Sequence, residues 1–280
     1  MAKLPKETQV KQVKLKVADL EKMVTFYTTM VGLVLVKKEQ NSAFLSAQGS
    51  EEILLILEEL AAPEKKIMTT GLYHTAFLLP SRKDLGNTLL WLLQNKVELG
   101  AADHGYSEAL YLTDPEGNGI EIYHDKPMSE WDIREDGQII GVTEELDGDS
   151  LVASSDGKWL GLPFGSRIGH IHLQVADLEK SAVFYEQLGF TLKSDFGKRA
   201  KFFAAGTYHH HIGMNTWAGS NLPLMTENQL GLAWYVFKLP TKEDFEALVH
   251  ELEQQDVEYE LNQHQLIIAD PNGTEIIFES

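Results

Sequence analysis

Three side chains within one short stretch of this chain can take part in acid–base or metal chemistry. His104, Tyr111 and Glu121 supply an imidazole, a phenol and a carboxylate, and the sequence Asp-Pro-Glu-Gly at 114–117 lies between the last two. The segments on either side of this sequence read as strands, so the stretch predicts a hairpin with 114–117 as its turn. The chain contains no cysteine, which excludes thiolate ligands and thiol nucleophiles and leaves His, Asp, Glu and Tyr for polar chemistry.

An internal repeat indicates how these residues are positioned. The sequence Val-Ala-Asp-Leu-Glu-Lys at 17–22 recurs letter for letter at 175–180, and Phe26-Tyr27 recurs as Phe184-Tyr185. A chance match of this length is improbable, so the chain is a duplication of two halves. Each half also carries one copy of the turn sequence Asp-Pro-x-Gly, at 114–117 and at 270–273.

Each half contains two shorter units, and each unit has the order strand, helix and three strands. In the second unit, 72–79 is apolar and strand-like, and leucines recur at helical spacing after Ser81. Ser81, Asp19 and Asp177 are predicted helix N-caps, because their side-chain oxygens can accept a hydrogen bond from the first helical turn. The four units begin near residues 10, 72, 169 and 231.

This combination resembles the vicinal oxygen chelate superfamily, which includes extradiol dioxygenases, glyoxalase I and bleomycin-resistance proteins. Within that superfamily, the chain looks like the two-domain catechol 2,3-dioxygenase group of bacilli and their relatives. The hairpin spacing matches the extradiol signature, except that Ala102 stands where Gly, Asn or Thr is usual. The other motifs that carry the resemblance are Gly-Leu-Tyr-His at 71–74, Gly-His-Ile-His at 169–172 and Tyr-His-His-His-Ile-Gly at 208–213.

The resemblance implies an α+β fold in which four βαβββ modules form two cupped mixed β-sheets with flanking helices. It divides the chain into a first domain at 1–128, a connecting segment at 129–168 and a second domain at 169–280. In this superfamily two modules pair to form each cup, and the cup holds the metal. The connecting segment contains proline, glycine and acidic residues, which favour irregular structure.

Metal ligands in this superfamily come from the first and last strands of the units. The resemblance therefore implies a site made by His74, Glu121 and His170, a ligand set that leaves open positions on Fe(II) for a chelating substrate and O2. These three residues can meet only if the second unit pairs with the third, which leaves the first unit to pair with the fourth. The equivalent positions in those two units hold Gln12 and Trp234, so the other cup is expected to have no metal site.

The resemblance also assigns the groups that would handle protons and substrate. His210 stands in the register of the extradiol acid–base histidine, so it would remove a substrate proton and return it later. Tyr111 would hydrogen-bond a substrate oxygen, and His104 would help to hold the deprotonated hydroxyl. Strand alternation predicts that His209 and His211 point away from the cup that His210 faces.

The implied activity is that of an extradiol dioxygenase, which opens a small aromatic diol with O2 at Fe(II), with Mn(II) as an alternative for the same ligands. A glyoxalase-type isomerase is the nearest alternative, but it needs a fourth protein ligand, and 207–217 contains no Asp or Glu. A metal-free protein that binds an aromatic ligand in the cup is the second alternative. Three aromatic residues are candidates either for lining a cup or for ordinary core packing: Trp217, Trp234 and Phe77.

Composition limits the expected partners and location of the protein. The formal net charge is −18 and the basic residues form no dense cluster, so nucleic acid and anionic membranes are not expected as partners. No apolar run approaches the ~20 residues of a membrane span. No secretory leader is recognisable in the first eight residues, so a cytoplasmic enzyme is expected. A symmetric homodimer is the default expectation for its assembly.

Overall fold

Each of the four repeats folds as one strand, one helix and three further strands. The computed structural model describes residues 3–65, 67–255, 257–262 and 264–280. Met1 and Ala2, with which the segment lacking a recognisable leader begins, lie outside these residues. The element order predicted from the sequence is therefore confirmed in every repeat.

The bounds of the elements are as follows. The first repeat contains β1 (Gln9–Val17), α1 (Leu20–Phe26) with a π-helical turn at Tyr27–Val31, β2 (Val34–Lys38), β3 (Ser42–Ser46) and β4 (Ile53–Glu59). The second contains β5 (Gly71–Leu78), α2 (Arg82–Gln94), β6 (Gly100–Asp103), β7 (Ser107–Thr113) and β8 (Gly119–Asp125). A 3-10 turn (Met128–Glu130) and α3 (Gly148–Ala153) follow in the connecting segment.

The second half repeats this arrangement. The third repeat contains β9 (Arg167–Gln174), α4 (Leu178–Gln187), β10 (Thr191–Asp195), β11 (Ala200–Ala204) and β12 (Ile212–Asn215). The fourth contains β13 (Gly231–Lys238), α5 (Lys242–Gln254), β14 (Glu260–Asn262), β15 (Gln265–Ala269) and β16 (Glu275–Glu279).

The helices begin where the sequence predicts. The side chains of Asp19, Ser81 and Asp177 each accept a hydrogen bond from a backbone N–H in the first turn, which satisfies a donor that the helix itself leaves free. Thr241 does the same for α5. None of the helices in the described part of the chain is long and apolar enough to cross a membrane.

The strands form two eight-stranded mixed sheets, and each sheet is built from two repeats. The first sheet has the order β14-β15-β16-β13-β1-β4-β3-β2, and the second has the order β10-β11-β12-β9-β5-β8-β7-β6. The second repeat therefore pairs with the third through antiparallel β5 and β9, as the ligand set requires. The halves 1–128 and 169–280 each contribute one repeat to each sheet, and these boundaries stay a prediction of domain organisation.

One continuous hydrophobic cluster contains side chains from both sheets and fixes which face of each strand is buried. In the second sheet, Phe77 of β5, Ile122 of β8 and Ile171 of β9 are completely buried in this cluster. Side chains alternate along a strand, so their sequence neighbours project from the opposite face. That opposite face carries the predicted metal ligands.

A buried hydrogen bond joins the two repeated motifs in the first half. The Tyr27 hydroxyl, at the end of α1, donates to Oδ2 of Asp114 in the Asp-Pro-x-Gly turn at 3.0 Å. In the second half, the hydroxyl of Tyr185 lies 3.4 Å from Oδ2 of Asp270. The Phe-Tyr pair of one module thus contacts the turn of the next module.

Candidate metal centre

The predicted ligands lie in two adjacent rows that run across β8, β5 and β9. In the first row, Glu121 of β8 pairs with Ala76 of β5, and Ala76 pairs with His170 of β9. In the second row, His74 of β5 pairs with His172 of β9. Because the Ala76 side chain is only a methyl group, Glu121 and His170 can approach each other across it.

Two glycines at the ends of the second row leave room for the strand that carries His74 and for the His172 ring. Gly119 is the β8 partner of His74, and Gly213 is the β12 partner of His172. A Cβ atom on Gly119 would collide with the carbonyl oxygen of Tyr73, and one on Gly213 would lie 2.9 Å from the His172 ring. Larger residues at these two positions would displace the histidines.

His74, Glu121 and His170 converge on one point. Nε2 of His74 lies 3.2 Å from Nε2 of His170, and these two nitrogens lie 3.0 Å and 3.1 Å from Oε2 of Glu121. All three residues are buried. In the part of the chain that the structure describes, no other group of three His, Asp or Glu residues brings its ligand atoms so close together.

The chemistry of this donor set fits a divalent metal ion. Ligands about 2.1 Å from an ion and at right angles to one another lie about 3.0 Å apart, which is close to the separations found here. The Glu121 carboxylate is 3% exposed, and it makes no ion pair with a lysine or arginine among the described residues. An uncompensated buried charge costs several kcal/mol, so a cation at this point would supply the missing charge.

The protonation states of these groups also suit a metal ion. Burial raises the pKa of Glu121, but the imidazoles of His170 and His74 outweigh this effect and hold that pKa well below its usual range. Burial lowers the pKa of His170 to about 4. Near neutral pH the carboxyl group is therefore ionised and the His170 ring is neutral, which are the forms that bind metal ions.

A cavity of about 600 Å³ opens over these ligands, a size suited to a small organic molecule. Its walls include the three ligand residues and all three residues predicted to act in catalysis, His104, Tyr111 and His210. The structure thus brings all six predicted site residues together.

Aromatic side chains form much of the remaining wall, and they separate the three candidates named from the sequence. Trp217 lines the cavity together with Tyr73 and Phe202. Phe77 is completely buried in the core, and Trp234 lies in the first sheet. Of the three candidates, Trp217 alone lines this cavity.

Tyr111 and His104 form a hydrogen-bonded pair at the edge of the cavity. Tyr111 of β7 pairs with Glu121 of β8, which places its ring beside the ligands. The hydroxyl of Tyr111 lies 2.6 Å from Nε2 of His104, and Nδ1 of His104 lies 2.8 Å from the carbonyl oxygen of Val142. Burial and the nearby Glu121 carboxylate raise the pKa of Tyr111 well above its ordinary value, so the phenol keeps its proton.

Of the three consecutive histidines only His210 lines the cavity, so the prediction that His209 and His211 point away from it is confirmed, although strand alternation is not the reason. Strand β12 begins only at Ile212, so the three histidines lie in an irregular segment to which alternation does not apply. The His209 ring faces the His210 ring, and the Nδ1 atoms of the two rings lie 2.8 Å apart. Nδ1 of His211 accepts a hydrogen bond from the backbone N–H of Ala205.

Two further features of the site escaped the sequence prediction. The His172 ring lines the cavity, and its Nε2 accepts from the side-chain amide of Asn215, whose oxygen accepts from the backbone N–H of Trp217. Asp125, at the end of β8, binds His209. Alternation from Glu121 along β8 could have indicated Asp125, because the two residues are four positions apart and so share a face.

The corresponding face of the first sheet carries a different set of side chains. The amide of Gln12 donates to the carbonyl oxygen of Ile53. The ammonium group of Lys14 lies 2.8 Å from the Glu58 carboxylate and 5.8 Å from the ring centre of Trp234. Among the described residues of this sheet, no three His, Asp or Glu side chains bring their ligand atoms together as those of the second sheet do.

The chain is similar to proteins of known family over nearly its whole length. It is 38% identical over 286 residues to catechol-2,3-dioxygenase of Bacillus subtilis (strain 168), with 99% of each chain covered. It is 29% identical over 114 residues to biphenyl-2,3-diol 1,2-dioxygenase 3 of Rhodococcus globerulus, which covers 40% of this chain and 60% of that protein.

Solved structures show the same fold at low sequence identity. Glyoxalase I from Zea mays matches with a TM-score of 0.58 and 15% identity, covering 98% of this chain and 92% of that one. The cppA protein from Streptococcus pneumoniae matches with a TM-score of 0.55 and 16% identity, covering 97% and 98%.

The family model for the glyoxalase/bleomycin resistance protein/dioxygenase superfamily matches residues 9–122 and 167–278, which together contain all four repeats except the last residues of β8 and β16. Taken with the paired modules and the cluster formed by His74, Glu121 and His170, this match identifies the chain as a member of the glyoxalase/bleomycin resistance protein/dioxygenase superfamily.

Proposed function

We propose that the protein is an extradiol dioxygenase that opens the ring of a catechol-type aromatic diol with O2 at a mononuclear metal centre. The observation that carries this proposal is the position of His74, Glu121 and His170 at the base of a cavity that also contains acid–base groups. The similarity to a catechol-2,3-dioxygenase over 99% of both chains supports it.

His74, Glu121 and His170 would hold Fe(II), with Mn(II) as the alternative. Such an ion, when bound, favours the ionised form of a bound hydroxyl and lets electrons pass between an electron-rich ring and O2. Three protein ligands leave coordination positions for both oxygens of a diol and for O2. Both atoms of O2 enter the product, so no external reductant is required.

His210 would manage the proton that chelation of the diol releases. Burial and the neighbouring His170 ring lower the pKa of His210 well below its usual range, so the ring is neutral and carries a free lone pair. Its Nδ1 is occupied by His209, which leaves Nε2 as the nitrogen that can meet a substrate in the cavity. The same nitrogen would return the proton to a product oxygen.

Tyr111, His104 and the aromatic walls would orient the diol. The phenol of Tyr111 keeps its proton, so it offers a fixed hydrogen-bonding group beside the metal ligands. Rings of Tyr73, Phe202 and Trp217 provide apolar surface for a planar substrate and exclude water from the reacting ring.

The two alternatives are less well supported by the geometry. An isomerase of the glyoxalase type would need a fourth protein ligand, and the ligand cluster found in the described residues has three members. A metal-free binding protein would bury the Glu121 carboxylate without a compensating cation.

Metal analysis and ring-opening assays together test the proposal. Protein purified without chelator is expected to retain about one Fe or Mn per chain, and anaerobic loading with Fe(II) followed by catechols in air should give a yellow ring-fission product with one O2 consumed per ring. Glu121→Ala should lose the metal, whereas His210→Phe should keep the metal and lose turnover. Metal binding without ring fission of any catechol or hydroquinone tested would reject the proposal.

A further inference from the structure

Three hydrogen-bonding groups, the half-buried Asp125 and the buried His209 and His210, form a chain that ends at His210. Nδ1 of His210 lies 2.8 Å from Nδ1 of His209, and Nε2 of His209 lies 2.9 Å from Oδ1 of Asp125. His209 is 1% exposed and His210 5% exposed. Asp125 comes from β8, the strand that also carries Glu121, so one strand positions both a metal ligand and the far end of this chain.

The chemistry of these groups decides where the protons lie. A carboxylate can only accept, so Nε2 of His209 carries the hydrogen that is donated to Asp125. A His209 ring with a single hydrogen, placed on Nε2, has a lone pair on Nδ1 that accepts, and Nδ1 of His210 then carries the other hydrogen. Nε2 of His210 is left unprotonated, which is the form that can take a proton from a substrate in the cavity.

The surrounding residues hold His209 and Asp125 in place. The His209 ring stacks on Tyr106 with a centroid distance of 4.3 Å and an interplanar angle of 13°, and it also contacts Tyr208 and Trp131. Oδ2 of Asp125 accepts from the Tyr208 hydroxyl at 2.9 Å. Both carboxylate oxygens of Asp125 therefore have fixed partners.

We propose that Asp125 and His209 are positioning residues that hold His210 in the tautomer protonated on Nδ1, with the Nε2 lone pair directed to the substrate. The catalytic meaning of this assignment rests on the proposed function, in which His210 is the acid–base group. The direction of the hydrogen bonds is a property of the fold and can be measured without turnover.

The Asp125→Asn variant should reverse the direction of the hydrogen bonds between residue 125, His209 and His210, while the new side chain keeps the shape of the old one. Because the Tyr208 hydroxyl donates to Oδ2, the asparagine oxygen is expected to stay with Tyr208 and the amide nitrogen to face His209. The amide would then donate to Nε2 of His209, Nδ1 of His209 would donate to His210, and the hydrogen of His210 would move to Nε2. In the substituted protein, His210 would meet the substrate with the wrong nitrogen protonated.

Nitrogen-15 NMR of histidine-labelled protein loaded with diamagnetic Zn(II) reads these tautomers directly. His210 in the wild type should show the pattern of a ring protonated on Nδ1, and Asp125→Asn should convert both His209 and His210 to the opposite tautomers. Signals are assigned by their disappearance in the single variants His209→Phe and His210→Phe. A wild-type His210 protonated on Nε2, or tautomers unchanged by Asp125→Asn, would overturn the assignment.

Steady-state kinetics of the Fe(II)-loaded enzyme provide the second measurement. Asp125→Asn should lower kcat by about tenfold to a hundredfold with a much smaller change in KM, because it acts on the state of a catalytic group rather than on substrate binding. If the wild type shows the expected tautomers but opens no catechol, the proposed function fails and the positioning chain stands. If the wild type is active and neither the tautomers nor kcat change in Asp125→Asn, the positioning role of Asp125 and His209 is rejected and the proposed function stands.

Two further variants separate this effect from general damage. His209→Phe keeps an aromatic ring against Tyr106 but removes both nitrogens, so His210 should show both tautomers, and it serves as the test if Asp125→Asn does not fold. Tyr235→Phe removes a buried hydroxyl pair, Tyr235 to Tyr185 at 2.7 Å, which lies away from the cavity. This control should leave the His210 tautomer and kcat unchanged, and an equal fall of kcat in the control would assign the Asp125 effect to structure.

Discussion

The Tyr111 hydroxyl lies 2.6 Å from Nε2 of His104, and the other ring nitrogen of His104 lies 2.8 Å from the carbonyl oxygen of Val142. The carbonyl oxygen can only accept, so Nδ1 of His104 carries the hydrogen, and Nε2 of the neutral ring accepts from the tyrosine hydroxyl. The Val142 carbonyl therefore fixes the direction of the hydroxyl, whose oxygen lone pairs remain available to a substrate in the cavity.

Replacement of Tyr111 by phenylalanine should slow turnover without loss of metal. The variant removes the hydroxyl oxygen that can accept a hydrogen bond from the diol hydroxyl that keeps its proton, worth about 0.5–1.5 kcal/mol, so kcat/KM should fall by roughly twofold to tenfold. Metal content by mass spectrometry and kcat/KM for a catechol are the measurements. A matched His104→Phe variant, which keeps the phenol but frees its direction, should show a smaller loss. Loss of metal from Tyr111→Phe would assign Tyr111 to the support of the ligands instead.

The sequence alone predicts which residues form this site, because the internal repeat fixes the register of each strand. The ligands are distributed over the second and third units, which is sufficient to require that these units pair, and the sheet order agrees. Alternation between buried residues such as Ile122 and cavity residues such as Glu121 then gives the correct face.

The sequence did not predict the contacts of His209 and His211, because both residues lie outside regular structure. His209 and His211 lie before β12, and the direction of each ring there depends on contacts with residues distant in the chain, such as Asp125. No periodicity encodes such contacts, since the partners are 84 positions apart and one of them lies in an irregular segment. The role of Ala76 was also missed, because a small residue in a strand carries no signal until its neighbours across the sheet are known.

Ala76 should control metal binding through its size. It lies between Glu121 and His170 in the first row across the sheet and is completely buried. Ala76→Val suits a strand but adds two methyl groups where the ligands meet, so metal affinity should fall at least tenfold, with a cost in folding of about 1–3 kcal/mol from overpacking. Ala76→Gly is the matched control, because it keeps the space open and should bind metal normally at lower stability. Equilibrium dialysis with Mn(II) measures both, and unchanged affinity in Ala76→Val would show that the ligands do not need this gap.

His211 should make the protein less stable in mild acid. Burial lowers the pKa of His211 to about 3, whereas the ring in the unfolded chain has a pKa of about 6.5. Between these values the unfolded chain binds a proton that the folded chain does not, so the free energy of unfolding falls as the pH decreases from 6.5 towards 3. At pH 5 the contribution of this one residue to the loss is about 2 kcal/mol.

Urea unfolding of the wild type and of His211→Asn at pH 7 and pH 5 measures that contribution. The asparagine oxygen can accept the backbone hydrogen bond from Ala205 that Nδ1 of His211 accepts now. The variant loses packing against Tyr208 and should be less stable at pH 7, but the difference between its stabilities at pH 7 and pH 5 should be smaller by about 2 kcal/mol. An identical pH dependence in both proteins would mean that His211 is protonated in the folded chain.

The bond between Tyr27 and Asp114 should contribute to stability and leave the metal site unchanged. Burial and the Asp114 carboxylate raise the pKa of Tyr27 well above its ordinary value, so the phenol remains a donor across the usual pH range. In Tyr27→Phe, Asp114 keeps its bond from the Asn118 amide at 2.8 Å, so the carboxylate is not left without partners. The expected loss is therefore about 1.5 kcal/mol, the value of one charge-assisted hydrogen bond, with metal content and kcat retained. Chemical unfolding of this variant beside its repeat counterpart Tyr185→Phe makes the comparison. If Tyr27→Phe were as stable as the wild type, the contact between the Phe-Tyr motif and the turn would follow from the packing of the modules and would not help to hold them together.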